Sequence, residues 1–77
     1  MRVKVVLHSV LRERLPREAR GRAELDLPAG SSVADAVREL GIAFRVTAAV
    51  NRQLEPDAQR VLAAGDELEL FPPAGGG

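Results

Sequence analysis

Residues 28–41 read PAGSSVADAVRELG, in which a turn, a helix start and a helix stop follow one another. Ser32 stands three residues before Asp35, as in a capping box with Asp in place of the usual Glu. Apolar residues recur at helical spacing over residues 33–40, and Gly41 occupies the position where helices commonly end in a left-handed residue. We therefore predict one helix of about two turns, apolar on one face.

On both sides of this helix, apolar and polar residues alternate as they do in half-buried strands. The predicted strands centre on Val3-Val5-Leu7, Ala23-Leu25-Leu27, Val46-Ala48-Val50, Gln53-Leu54 and Glu67–Leu70. Residues 58–64 are rich in Ala and compatible with one helical turn. The order β-β-α-β-β-β predicts a two-layer α+β fold in which the helix covers one face of a sheet.

The composition excludes several classes of site. A chain of 77 residues forms one small domain, and it contains no Cys and a single His. Disulfides, thiolate metal sites and Cys nucleophiles are therefore absent, and a zinc site is not expected. No apolar run approaches the roughly 20 residues that span a bilayer, and the first residues do not resemble a signal peptide. We expect a cytoplasmic protein with no membrane partner.

The charges balance, with 11 basic and 11 acidic side chains, so bulk attraction to nucleic acid is not expected. Most of the local basic excess falls within residues 12–22, which contain five arginines and two glutamates and no aromatic residue. Nucleic-acid sites usually add aromatic stacking to such a stretch. We interpret it as a solvated loop.

No conventional catalytic set can be assembled. His8 is the only imidazole, so neither a Ser–His–Asp nor a Cys–His arrangement is available. Residues 28–32 lead into a helix start, yet they lack the spacing and the Lys of a phosphate-binding loop. The carboxylates are scattered over turns and strand faces.

The C-terminal sequence, LFPPAGGG over residues 70–77, is unusual for a folded domain. Three glycines bury no side chain and lose the most entropy on ordering, so folding gives no reason for them. A narrow tail suits insertion of a terminal carboxylate into another protein's active site. From composition alone, a flexible end without a function is as good an interpretation as a tail that enters a partner.

Several segments carry a family resemblance when they are taken together. They are residues 28–37, Ala49-Val50-Asn51, residues 64–68, and Phe71-Pro72-Pro73 followed by Gly76-Gly77. In this order, and over nearly the whole chain, they resemble the ubiquitin-like sulfur carriers of the MoaD/ThiS family. At Asn51-Arg52 the chain departs from the Asn-Gly hairpin usual in these carriers, so either Arg52 tolerates the turn geometry or the turn is of another type.

The resemblance implies a β-grasp (ubiquitin-like) fold, with a mixed sheet packed against one main helix. It implies a domain over residues 1–71 and a flexible tail over residues 72–77, with the reactive carboxylate on Gly77. Such a protein is a substrate and not an enzyme. An ATP-dependent adenylating enzyme of the ubiquitin-activating type forms the acyl-adenylate, and a sulfur donor protein converts it to a thiocarboxylate. ATP is used by that enzyme, and no cofactor is expected on this chain.

The pathway has several candidates. Residues 70–73 followed by Gly-Gly resemble the small subunit of molybdopterin synthase, whose large subunit would accept the sulfur; we favour this role. The triple glycine and the short connection over residues 41–46 resemble the carriers of thiamine-thiazole synthesis or another sulfur-transfer pathway. A ubiquitin-like modifier joined to lysines, and an interaction module with an inactive tail, are the remaining alternatives.

In this fold the first and last strands lie parallel at the centre of the sheet. Successive side chains of a strand point to opposite faces of the sheet. If Val3, Val5 and Leu7 point inward, this alternation places Phe71 on the outer face near Val6 and His8. We expect these three side chains to form an apolar docking patch at the root of the tail. The predicted partner-binding residues are Val6, His8, Phe71, Pro72, Pro73, Ala74, Gly75 and Gly76.

The same alternation predicts which charged side chains of the first and last strands are neighbours. Arg2 and Lys4 are expected to lie beside Glu67 and Glu69 on the outer face. Exposed pairs of this kind contribute about 0.2–1 kcal/mol each, so they would help to fix strand register more than stability.

Overall fold

The computed structural model describes residues 1–73, so that the predictions for Ala74, Gly75, Gly76 and Gly77 concern positions outside the described residues. The predicted order β-β-α-β-β-β is confirmed. Two short 3-10 helices, Ser9–Arg14 and Arg17–Ala19, lie between the first two strands. The main elements are β1 (Arg2–Leu7), β2 (Arg22–Asp26), α1 (Val33–Glu39), β3 (Thr47–Val50), β4 (Gln53–Leu54) and β5 (Glu67–Phe71).

The strands form one mixed sheet in the order β2-β1-β5-β3-β4. β1 and β5 are parallel and adjacent, as predicted, and the other three pairs are antiparallel. Because β1 and β5 run in the same direction, the C-terminal ends of both strands, at Leu7 and Phe71, lie at the same end of the sheet. We call this the tail end of the sheet, since residues 72–77 follow Phe71 in the chain.

The start and stop signals of α1 are confirmed. The Ser32 hydroxyl accepts the Asp35 N–H at 3.2 Å, and the Asp35 carboxylate accepts the Ser32 N–H at 2.8 Å, so Asp closes the capping box in place of Glu. Gly41 has φ +75°, the left-handed conformation that ends a helix with least strain when no Cβ is present. These local signals place the helix before any tertiary contact is considered.

The core lies between α1 and the inner face of the sheet. As parity requires, alternate residues of β1 and β5 face α1, and additional apolar side chains from the connections close the ends. The buried residues of this core are Val3, Val5, Leu7, Leu11, Leu27, Val33, Ala36, Ile42, Ala48, Val50, Leu62, Leu68 and Leu70.

Residues 58–64 do not form the helical turn that their Ala content allowed. Val61 instead makes an isolated bridge with Ser32, and Leu62 is buried. The carbonyls of Ala58 and Arg60 accept the N–H groups of Ala34 and Val33, which have no partner within the first turn of α1. The segment stays non-helical because its carbonyls satisfy the start of α1.

Asp66 makes the folded state sensitive to acid. Its carboxylate accepts the Ala63 N–H at 2.8 Å and the Asn51 side-chain amide at 3.0 Å, and these bonds hold the pKa of Asp66 below its usual value. A lowered folded-state pKa adds stability above the unfolded pKa of about 3.9, and this stability is lost as the pH falls through the folded pKa.

We therefore predict that Asp66→Asn flattens the acid limb of the stability profile. The urea midpoint of the wild type should fall more steeply than that of the variant as the pH is lowered below about 4, because Asn does not titrate. Urea titrations monitored by circular dichroism at a series of pH values measure this. Parallel profiles for the two proteins would show that Asp66 is not coupled to folding.

Candidate tail-root docking site

Val6, His8 and Phe71 lie on the outer face at the tail end of the sheet. Val6 pairs with Glu69 and Leu7 pairs with Leu70 in the β1–β5 register. His8 therefore comes beside Phe71, and the two rings stack in parallel with centroids 4.4 Å apart. The sequence-based prediction that these side chains come together is correct, and we call Val6, His8 and Phe71 the tail-root patch. All three are half-buried.

Glu69 holds the imidazole of the patch in place. The His8 Nε2 atom is 2.9 Å from a Glu69 carboxylate oxygen, and only 14% of the Glu69 side chain is exposed. The other Glu69 oxygen is 3.9 Å from the Arg52 Nε atom. Glu69 was predicted to lie on the outer face beside Arg2 and Lys4, but not as part of this patch. Its alternation with Leu68 and Leu70 was the signal that it shares the face of His8.

The prediction for the charged neighbours of β1 was wrong for Arg2. Lys4 does pair in register with Glu67, but Arg2 contacts Asp26 at 3.2 Å and Glu24 at 3.5 Å. β1 has a neighbour on each side, and β2 offers two carboxylates within reach of the Arg2 side chain, whereas β5 begins only opposite Lys4. Arg2 therefore fixes the β1–β2 register.

The β3–β4 turn resolves the question left by Asn51-Arg52. Both residues adopt left-handed conformations, with φ of 51° and 71°, as a two-residue type I′ hairpin requires. Asn51 suits this position because its side chain bonds Asp66 and accepts the Glu67 N–H at 2.9 Å. Arg52 tolerates the geometry, and its Nε atom lies 3.6 Å from Glu67.

The tail begins within the described residues. Pro72 is half-buried and Pro73 is exposed, directly after the central strand β5. Residues 74–77, including the predicted reactive Gly77, lie outside the described part, so their predicted roles stay predictions.

Two further properties concern other kinds of site. Within residues 1–73, no group of three or more His, Asp or Glu side chains is arranged to hold a metal ion. Over the same residues, no helix has the length and apolar character needed to cross a membrane.

The sequence model of the ThiS family matches residues 14–77, which is most of the chain and includes the tail. The chain belongs to the ThiS family. The MoaD/ThiS resemblance seen in the sequence is thereby confirmed, and the member described here is a small ubiquitin-like domain of the sulfur-carrier family. No curated protein sequence matches this ThiS-family chain significantly.

Solved structures support the β-grasp fold of this ThiS-family member. SAMP1 from Haloferax volcanii is 24% identical with a TM-score of 0.76, and the alignment covers 100% of both chains. A putative molybdopterin converting factor subunit 1 from Pyrococcus furiosus is 23% identical with a TM-score of 0.76, covering 96% of this chain and 99% of that one. Subunits 1 and 2 of the molybdopterin-converting factor from Helicobacter pylori form a complex, and a chain of it is 19% identical with a TM-score of 0.67 over 100% of both chains.

Proposed function

We propose that this protein is a sulfur carrier that is activated and loaded at the carboxylate of Gly77. The observation that carries the proposal is the ThiS-family match, which extends through residue 77 and so includes the tail. The fold supports it, because β5 lies in the middle of the sheet and leads directly into Pro72 and Pro73. A rigid central strand is a firm base from which to present a narrow tail.

The chemistry follows from the weakness of a carboxylate as an electrophile. A carboxylate oxygen of Gly77 attacks the α-phosphorus of ATP in the adenylating enzyme, and pyrophosphate leaves. The terminal sulfur of a persulfide on a donor protein then attacks the carbonyl carbon, and AMP leaves. A cysteine thiol next attacks the donor's sulfur in the resulting acyl disulfide, which forms a disulfide with the donor and releases the thiocarboxylate. The chain contributes the carboxylate and the surface that positions it, while the partner enzyme binds ATP.

The acceptor of the sulfur is proposed to be a molybdopterin synthase large subunit. This is supported by the fold shared with molybdopterin converting factor subunit 1 and by the Helicobacter pylori complex of subunits 1 and 2. Supplying the loaded carrier separately to a molybdopterin synthase large subunit and to a thiazole synthase discriminates between the two pathways, since only the true acceptor should consume the thiocarboxylate.

Adenylation is the direct test of the proposal. The full chain is incubated with an adenylating enzyme of the ubiquitin-activating type, ATP and magnesium, and exchange of labelled pyrophosphate into ATP is measured. Exchange that depends on the carrier is the expected result. An enzyme that adenylates an authentic carrier of its own but gives no exchange with this chain would contradict the proposal.

Phe71→Ala tests the tail-root patch. Truncation of a half-buried aromatic residue at the centre of an interface should weaken binding to the adenylating enzyme about tenfold or more. The fold should persist, because Phe71 lies on the outer face and outside the core. Calorimetric titration measures the affinity, and circular dichroism monitors the fold.

Val61→Ala is the matched control for that variant. Val61 is also apolar and is 59% exposed, but it lies beside Ser32 at the start of α1, outside the tail-root patch. Its truncation should change the affinity less than twofold, within the small effect usual outside a hot spot. Unchanged affinity in Phe71→Ala, or unfolding of that variant, would count against the patch.

A protein modifier joined to lysines is the second candidate, and the similarity to SAMP1, described as a small archaeal modifier protein, favours it. Lys4 is the only lysine, so a chain of linked copies has no other side-chain attachment point. We predict that conjugation reactions produce no ladder of multiply linked copies on gel electrophoresis. Extended ladders would contradict this prediction and would show that copies are joined through Lys4 or the amino terminus.

A further inference from the structure

The ten arginines fall into two groups according to their ion pairs. Four of them each contact a carboxylate within 4.0 Å among the described residues. These pairs are Arg2–Asp26, Arg38–Asp35, Arg52–Glu67 and Arg60–Glu55.

The other six have no such contact. All are exposed, and within residues 1–73 none of their side chains forms an ion pair or a hydrogen bond with an acidic group. We call them the arginine collar. Its members are Arg12, Arg14, Arg17, Arg20, Arg22 and Arg45.

The topology brings the collar to the tail end of the sheet. The connection over residues 8–21 leaves β1 and returns to β2 at this end, since Arg22 pairs with Val6. Arg45 shortly precedes β3, whose first residue pairs with Phe71. The Arg14 guanidinium lies 5.9 Å from the centre of the Phe44 ring, so the two connections touch. Guanidinium groups from both therefore lie around the root of the tail.

The collar makes the molecule electrically asymmetric. Only two acidic residues, Glu13 and Glu18, lie in the segments that carry the six arginines, whereas the whole chain has no net charge. Two more carboxylates, those of Glu55 and Glu69, lie near this end, but each is already paired with an arginine outside the collar. The collar therefore leaves a positive excess at the tail end. A carrier with this charge distribution approaches a negatively charged surface with its positive end forward.

We propose that the arginine collar docks on an acidic surface around the entrance to the adenylating enzyme's active site, so that the carrier approaches tail first. This inference deepens the proposed function and rests on it. The collar accelerates and orients the encounter, whereas the tail-root patch supplies the apolar contact of the bound state.

The observations favour a protein surface over a nucleic acid. Single-stranded nucleic acid is held by stacking on free aromatic rings. Phe71 is half-buried and stacks on His8, so Phe44, which is 47% exposed beside Arg14, is the one described ring open to a base, and successive bases have no second ring to stack on. The collar also surrounds the start of a tail that has to enter a partner, as the proposed function requires.

The test compares association rates for two triple variants with the same net charge. Arg17→Gln/Arg22→Gln/Arg45→Gln removes three collar charges, and Arg2→Gln/Arg38→Gln/Arg60→Gln removes three charges that are paired with carboxylates. Binding to immobilised adenylating enzyme is followed by surface plasmon resonance between about 0.05 and 0.5 M NaCl, a range over which screening increases. Immobilised single-stranded RNA and duplex DNA form parallel arms, and pyrophosphate exchange is measured on the same samples.

We expect the collar variant to associate about tenfold more slowly than the wild type at low salt, with a weaker salt dependence, and the control variant to stay within twofold. Equal effects of the two variants, or none in either, would overturn the proposal. Collar-dependent binding to RNA or DNA that is tighter than binding to the enzyme would also overturn it. Collar-dependent enzyme binding without pyrophosphate exchange would contradict the proposed function while leaving the docking surface supported.

Discussion

Deletion of Gly77 should reduce adenylation of the carrier more than about a hundredfold. The deletion withdraws the terminal carboxylate by one residue, about 3.3–3.6 Å of extended chain. Misplacement of a reacting group by even about 1 Å can cost a hundredfold in rate. The free energy of unfolding should hardly change, since a terminal glycine has no side chain to bury. Pyrophosphate exchange and thermal unfolding of the two proteins measure these effects.

A variant with one glycine added after Gly77 tests the same requirement in the opposite direction. It retains every residue of the chain but moves the carboxylate by the same distance in the opposite direction, so adenylation should fall as it does in the deletion. Near-normal activity of either protein would show that the position of this carboxylate is not what the enzyme recognises, and the proposed function would lose its chemical basis.

Gly21→Ala should cause the largest loss of stability of any single methyl addition described here. Gly21 is buried with φ +77°, and a Cβ at this position would lie 2.6 Å from the Leu7 carbonyl oxygen. That oxygen belongs to a core strand, and the Gly21 carbonyl in turn accepts the Leu7 N–H at 2.7 Å. Left-handed strain and the backbone clash together should cost about 2–4 kcal/mol, lowering Tm by more than about 10 °C.

Gly41→Ala separates the clash from the strain. Gly41 has nearly the same φ, +75°, but no atom lies within 4 Å of an added Cβ. Its substitution should therefore cost only about 1 kcal/mol, which is the left-handed penalty alone. Equal losses of stability in the two variants, measured by urea unfolding, would show that the contact between Gly21 and Leu7 relaxes without cost.

The parts of the fold that the sequence predicted are those with local or alternating signals. Ser32, Asp35 and Gly41 mark the ends of α1 through bonds and conformations confined to a few residues. Val3 and Leu70 could be assigned to the inner face because side chains alternate strictly along a strand. The parallel pairing of β1 with β5 came instead from the family resemblance.

The parts that were missed depend on contacts between distant segments. Residues 58–64 are compatible with one helical turn, but their carbonyls are needed by the N–H groups at the start of α1. Leu11 is buried in a 3-10 helix whose polar sequence gave no sign of it. Arg2 had acidic residues on both neighbouring strands, and alternation alone does not say which of them a long side chain reaches.

The candidate site also has parts that the sequence predicted and parts that it did not. Parity brought Val6, His8 and Phe71 together correctly, since it needs only the register of two adjacent strands. The contribution of Glu69 depends on side-chain reach, and the arginine collar depends on which connections meet at one end of the sheet. The composition of residues 12–22 suggested a solvated loop, and only the missing ion pairs distinguish these arginines from the others.

Intact-mass spectrometry of the loaded carrier tests the central claim most directly. The purified chain is incubated with the adenylating enzyme, ATP and a sulfur donor, and its mass is compared with that of a sample lacking ATP. The account predicts a product heavier by the difference between one sulfur and one oxygen atom, with the change located at Gly77 by fragmentation. An unchanged mass, under conditions in which a known carrier is loaded, would contradict it.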